Sequence, residues 1–368
     1  MTQIDRRLVG TVLAAVALSA ALVLTVQAGA TAGAGASPAA VSEAGGEAFV
    51  LGFDPQAETW FTYALPVDGA DPQDALALTD GGQTEVWIAE TGADRIGRLT
   101  YTDTTTFAYQ AYDLAAGSEP LSLLAHDGFI WFTAPGADAV GRLDPETGQI
   151  DSFAVGAGTY PADLTAGPEG DVWFTQMMAD QVAHLVVTST TDYAVETYTD
   201  SYLSGGRPRG IALSGSSLYI AQTANGLVSV FTPPSSWIHM PEIGSGDELE
   251  EPYAMAADSG GTVWGTERAG NSVNLYDVMS FSNITRFSLS PDDSQPTGIA
   301  VGPSDQVWFT QRAAGRIGWV SLEAGRGYYA LPQDGLAPTG IAADGDGGIW
   351  VVASTRESRI YLPLVLRG

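Results

Sequence analysis

Short runs of mostly apolar residues, separated by turns rich in Gly, Pro and Asp, recur along the chain from residue 58 to its end. Within each run, aromatic and β-branched residues alternate with small or polar ones, which is the period of a strand. The stretch 296–319 gives the pattern in full. It reads as an apolar strand at Gly298 to Val301, a tight turn, a second strand at Val307 to Thr310, another turn, and a third strand opening at Ile317. The aromatic anchor of the second strand recurs as Trp87, Trp131, Trp173, Tyr219, Trp264, Trp308 and Trp350, at spacings of 44, 42, 46, 45, 44 and 42 residues. A period in the low forties with strand content predicts β-propeller blades. Seven copies predict an all-β, seven-bladed propeller of four-stranded antiparallel blades.

The blades open at Pro72, Pro120, Pro161, Pro208, Pro252, Pro296 and Pro338. In the second-strand motif Val-Trp-Phe-Thr, Trp and Thr point to one face and Phe to the other. Both faces of a blade are covered by neighbours, so both can be apolar. The segment 58–66, ETWFTYALP, resembles the end of a blade (compare GYYALP at 327–332), and no other strand of its own blade is recognised before it. It is expected to complete blade seven as the outermost strand and so close the ring. SRIYLPLVL at 358–366 is expected to be the third strand of that blade.

Composition narrows the possibilities. The net charge is −28, and all 15 basic residues are Arg. A chain this acidic repels phosphate backbones, which argues against nucleic acid as a partner. Without Cys there are no disulfides, thiolate metal sites or thiol nucleophiles. Arg6 and Arg7 precede an apolar run from Leu8 to Val26, and an Ala-Gly-Ala triplet follows at 28–30. This is the pattern of an export signal cleaved near Ala30, or of an uncleaved membrane anchor. Residues 31–48 read as a flexible Gly/Ala/Ser linker. The propeller, residues 49–368, is thus expected outside the cytoplasm, secreted or held at the outer face of the membrane, and monomeric.

Two positions per repeat are expected at one mouth of the central channel, because the first strand starts beside the end of the antiparallel second strand. The residues after the blade-opening Pro are Gln73, Leu121, Ala162, Arg209, Tyr253, Thr297 and Thr339. Those three residues after the anchor are Glu90, Ala134, Gln176, Gln222, Glu267, Gln311 and Ala353. From these sets, Arg209, Tyr253, Glu90, Glu267, Gln176, Gln222 and Gln311 are the candidate ligand-binding residues. Arg209 suits a carboxylate or phosphate, Tyr253 an apolar or sugar-like surface. The alternative is a rim that merely solvates a water-filled channel.

The repeat P-x-G-I-x-x-G-x-x-x-x-V-W-F-T-x-x-x-x-x-x-I-G resembles that of the virginiamycin B lyase, or streptogramin lyase, family. Blade six matches it best, and partial matches extend over roughly residues 58–363. The resemblance implies a seven-bladed propeller. It also implies Mg-dependent elimination that opens the ester of a cyclic depsipeptide antibiotic without hydrolysis. Family members carry His after the opening Pro of the last two blades and Glu four residues after the last Trp. Here those positions hold Thr297, Thr339 and Ser354. A family Tyr falls at Gln73 and a family Glu at Ala337. A Thr hydroxyl does not replace imidazole as a base near neutral pH.

Other constellations are sparse. His126, His184 and His239 fall on different blades, so no shared metal site and no Ser-His-Asp set is expected. Glu90 and Glu267 are the paired acids placed at the mouth. The acidic run Asp247, Glu248, Glu250 and Glu251 reads as a solvated loop. Asp344-Gly345-Asp346-Gly347-Gly348 resembles part of a calcium loop but lacks the closing Glu, and reads as a turn. Asn283-Ile284-Thr285 fits a glycosylation acceptor. The expected function is a non-catalytic propeller that binds a small molecule or an extracytoplasmic protein at its channel mouth, with no cofactor. The alternative is a Mg-dependent lyase with a relocated site.

Overall fold

A computed structural model describes residues 24–27, 47–103, 106–240, 249–276, 284–303 and 305–355. Seven antiparallel sheets stand in a ring. Blade one holds Pro72–Asp80, Gln83–Glu90, Arg95–Asp103 and Thr106–Asp113, with a short fifth strand, Leu24–Gln27, on its outer edge. Blades two to six repeat the four-strand meander, and each inner strand lies beside the next around the circle.

Blade seven closes the ring, and here the structure corrects the sequence reading. Its sheet runs Leu336–Ala343, Ile349–Thr355, Ala48–Asp54, Thr59–Ala64. The N-terminal segment does supply the outermost strand, but it supplies the third strand as well. Ala48–Asp54 pairs with Ile349–Thr355 in the place expected for the C-terminal apolar segment. Ala48 therefore opens a strand rather than ending a linker. Residues 356–368 lie outside the described residues, as do most of the proposed signal and linker, Asp247, Glu248 and Asn283.

The core is divided into seven clusters, one for each blade-to-blade interface, and each holds one aromatic anchor. Trp87 packs against Ile130 and Phe132 of blade two, and Trp350 against the Val86 and Phe107 side of blade one. The Phe of the motif points back: Phe174 packs with Trp131 of the preceding blade. The motif's two-faced alternation thus drives ring assembly, since each anchor is buried only when the next blade is present. Losing one such anchor to Ala costs about 3–5 kcal/mol on the usual scale of core truncations.

The Thr of the motif fastens the inner strands. Its hydroxyl donates to the carbonyl of the post-Pro residue of the next blade: Thr133 to Ala162 (3.2 Å), Thr175 to Arg209 (2.7 Å), Thr266 to Thr297 (3.0 Å) and Thr310 to Thr339 (2.9 Å). Each of these hydroxyls also accepts a backbone N–H from its own first strand. The glycine of Pro-x-Gly admits this closeness. A Cβ on Gly298 would lie 2.5 Å from the Thr339 carbonyl oxygen, and one on Gly340 would lie 2.6 Å from the Cα of Asp74.

Candidate functional site at the channel mouth

The inner strands enclose a cavity of about 400 Å³ at the end of the channel where the first strands begin. All seven residues that follow the blade-opening Pro line it. Arg209 and Tyr253 form its most distinctive part. The Arg209 guanidinium carbon sits 3.9 Å from the Tyr253 ring centroid, and that of Arg268 sits 5.0 Å from the same ring. Arg268 is itself ion-paired with Glu251. A guanidinium stacked on an aromatic face keeps its N–H edge available to a planar anion. Arg312 adds a further guanidinium to the lining.

Thr297 and Thr339 belong to the same ring, but their hydroxyls are committed. The Thr297 hydroxyl lies 2.9 Å from that of Thr310 and donates to the Thr339 carbonyl at 3.3 Å. Thr339 Oγ1 donates to the Pro72 carbonyl at 2.6 Å, tying blade seven to blade one. Both residues are buried. Of the other positions mapped by resemblance, Gln73 bonds back to Asp71, Ala337 is buried in a strand pair, and Ser354 Oγ is buried without a partner. Neither an imidazole nor a carboxylate stands at any of the five. Among the described residues, no three His, Cys, Asp or Glu side chains converge as a metal cradle. The donor set at the mapped positions therefore does not fit a Mg²⁺ ion, whose hard oxygen coordination needs carboxylates.

The second expected set is not at the mouth. Glu90, Gln176, Gln222, Glu267 and Gln311 are all fully buried and absent from the cavity lining. Each is held by groups of its own blade, of an incoming loop, or of both. Glu90 accepts from Arg95 Nε at 2.8 Å and from the Tyr109 hydroxyl. Glu267 accepts from Ser272 (2.5 Å), the Glu250 backbone N–H (3.1 Å) and Arg286 (3.3 Å). Gln176 donates to the Val155 carbonyl (2.7 Å), and Gln311 donates to Ser294 (2.6 Å) while accepting from Arg316 (2.6 Å). Gln222 accepts from Asn225 at 2.8 Å and donates to Ser229. Strand order explains the error. The register pairs Pro72 with Glu90 and Pro161 with Gln176, so both sets reach the same end of the ring. One radial step outward nevertheless replaces the channel with packed protein.

Two carboxylates that line the cavity were missed in the sequence. Asp74 and Asp163 stand where blades four, six and seven have the Gly of Pro-x-Gly. Asp74 accepts from its neighbour Ala75 (2.9 Å) and from Leu123 of blade two (2.9 Å). Asp163 accepts from Ser122 (2.6 Å), Leu164 (2.9 Å) and Ile211 of blade four (3.0 Å). Enclosure within the ring pushes the Asp74 carboxyl up to about 7 against the pull of its two N–H donors, and Asp163 is pushed up for the same reason. The signal lay in the departure from the repeat's own glycine at those two positions.

Ser229, His239 and Asp200 do come together, contrary to expectation. Ser229 Oγ lies 2.8 Å from His239 Nδ1, and His239 Nε2 lies 3.0 Å from Asp200 Oδ1. Ser229 is fully buried, however, and its oxygen already accepts from Gln222. A nucleophile needs access to its electrophile, so this set fastens blade four rather than attacking a substrate. His184 is stacked on Trp173, with ring centroids 4.8 Å apart, and pairs with Asp171. His126 bonds the Gly170 carbonyl at 2.7 Å.

Known proteins place this geometry in context. The chain matches the Virginiamycin B lyase family over residues 51–276 and 238–361. It is similar to a protein described as virginiamycin B lyase from Nocardia farcinica (strain IFM 10152), with 27% identity over 228 residues that cover 60% of this chain and 73% of the relative. Among solved structures, a streptogramin B lyase superposes with a TM-score of 0.68 at 20% identity, covering 84% of this chain and 98% of the other. A catalytically inactive virginiamycin B lyase from Staphylococcus aureus with quinupristin superposes with a TM-score of 0.65 at 20% identity, over 78% of this chain and 97% of the other. At these identities the structural likeness establishes the fold.

Proposed function

The chain belongs to the virginiamycin B lyase family, and we propose that it uses the family's propeller as a non-catalytic binding module whose ligand enters the channel mouth. The observation that carries this reading is the pairing of an Arg209–Tyr253 stack in the cavity with Thr297 and Thr339 locked into ring fastening. The first offers recognition of an anionic group beside an apolar or aromatic body. The second leaves the inherited positions with no base. The cavity lies within the size range of small-molecule sites. Arg6, Arg7 and the apolar run to Val26 support delivery out of the cytoplasm. Cleavage near Ala30 would remove the fifth strand of blade one without opening the ring, because closure uses residues 48–64.

A second reading, elimination by a relocated base, has one observation in its favour. Asp74 lines the cavity and holds its proton up to about 7, a useful value for a general base. Against it, both carboxylate oxygens already accept a backbone N–H.

Calorimetric titration with N-acetylphenylalanine and its neutral amide tests the binding reading. The acid is expected to bind at least tenfold tighter than the amide, and Arg209→Ala is expected to remove that difference while the protein stays folded. Equal binding of acid and amide, or an unaltered preference in Arg209→Ala, would overturn it.

A further inference from the structure

A second cavity, of about 260 Å³, opens between blades seven and one at the opposite end of the ring, where the turns between first and second strands lie. Its walls are aromatic. The rings of Phe61, Tyr101 and Trp350 stand 5.2–6.1 Å from one another, centroid to centroid. Its other side is acidic, with Asp54, Asp344 and Asp346 in the lining and no Arg or His. From this chemistry we propose that the cavity is a site for a small organic cation, an alkylated ammonium of the size of choline.

The lining excludes the other ligand classes. An anion meets three carboxylates and no positive partner. A bare divalent cation needs about six oxygen ligands, yet the carboxylates here are partly committed. Asp344 accepts from the Trp350 indole N–H at 2.8 Å and from the backbone of Asp346 and Gly348. Asp54 accepts from Gln56 and Ala57. These bonds fix the carboxylates in place but leave their negative field on the cavity that the aromatic rings also line. A methylated ammonium needs no directed hydrogen bonds and is attracted by both ring faces and carboxylates. The volume is below that of drug-sized sites, which points to a compact ligand. The turn 344–348 gains a role here: Gly347 has φ +93°, and a Cβ on Gly348 would meet Asp344 Oδ2 at 2.6 Å. At these two glycines the turn adds no side chain to the cavity, so Asp344 and Asp346 are its side-chain contribution. The overall charge of −28 also draws cations toward the surface.

The test is titration of the full chain with choline and with tetramethylammonium at fixed ionic strength. The neutral isostere 3,3-dimethylbutanol serves as control, and tryptophan fluorescence and calorimetry as readouts. Saturable binding of both cations is expected, at least tenfold tighter than the alcohol. Tyr101→Leu, which keeps apolar packing but removes the π face, is expected to weaken binding at least fivefold. Asp346→Asn, at an exposed position, is expected to weaken it about threefold without moving the unfolding midpoint. Absence of saturable cation binding by the folded protein would overturn the proposal. So would equal affinity for the alcohol, or affinity unchanged in both variants.

Discussion

Arg209 and Tyr253 face the channel at the same end of the propeller at which Glu90 and Glu267 are sealed between strands. In the sequence the two sets look alike: polar residues, one per repeat, at strand ends that lie side by side. In the fold they differ by one strand's width of radius. The inner set lines the channel, where the recognition chemistry is proposed. The outer set meets protein and binds third strands and incoming loops to the second strands. Polar character at a repeat position therefore identifies a hydrogen-bonding duty, and the radius decides whether the partner is a ligand or the blade itself.

The sharpest way to break this comparison is to remove one member of the outer set. Glu90→Ala leaves Arg95 and the Tyr109 hydroxyl without their buried acceptor, and is expected to cost about 3–5 kcal/mol in chemical unfolding. Next in size, Gly340→Ala forces a Cβ toward the Asp74 backbone and is expected to cost about 1–3 kcal/mol. Thr310→Val strips the Gly298 N–H of its acceptor, with an expected loss of about 1–3 kcal/mol. The inner set should behave otherwise. Arg209→Ala and Tyr253→Ala are expected to stay within about 0.5–1 kcal/mol of the parent, as substitutions away from packed features do, and to act on binding. Equal destabilisation by Glu90→Ala and Arg209→Ala would erase the distinction drawn between the two sets.

A pH series sharpens the account of the inner wall. Asp74 has its folded-state proton affinity raised from the ordinary value of 3.8 to about 7, so the native state holds a proton that the unfolded chain releases. Its contribution to stability is therefore greatest below about pH 4, falls as pH rises toward 7, and is flat above. Asp163 acts with the same sign. Because Asp74 still opens onto the cavity, the slope should be shallow. Asp74→Asn should remove its share, so the variant gains on the parent in unfolding free energy between pH 4 and 7.

The fold was legible because one motif serves every interface: the anchor spacing gave the blade count, and the Phe and Thr of the motif gave the two faces. The closure was only half legible for a physical reason. Blades one, two and six carry Gly97, Gly141 and Gly318 opposite the residue after the anchor, and blade seven has Leu51 there. Blades three, four and five lack that glycine too, but their third strands follow an anchor in sequence, whereas Ala48–Asp54 stands at the opposite end of the chain from the anchor strand it pairs with. The mouth was legible for Arg209 and Tyr253, which follow the blade-opening Pro directly. Asp74 and Asp163 escaped notice because they occupy a glycine position, and the Ser229–His239–Asp200 contact because its members are brought together only by strand pairing and an incoming loop. Burial of the outer set depends on side-chain direction at strand ends, which the alternation pattern does not fix once a strand has stopped.

The proposed role of the mouth is to bind without eliminating. Its most direct test is mass spectrometry of quinupristin incubated with the folded protein and Mg²⁺, with and without EDTA. Intact cyclic depsipeptide is expected under both conditions. A ring-opened product that forms with Mg²⁺ and disappears with EDTA would contradict it, and would assign the base to a residue outside Thr297, Thr339 and Ser354.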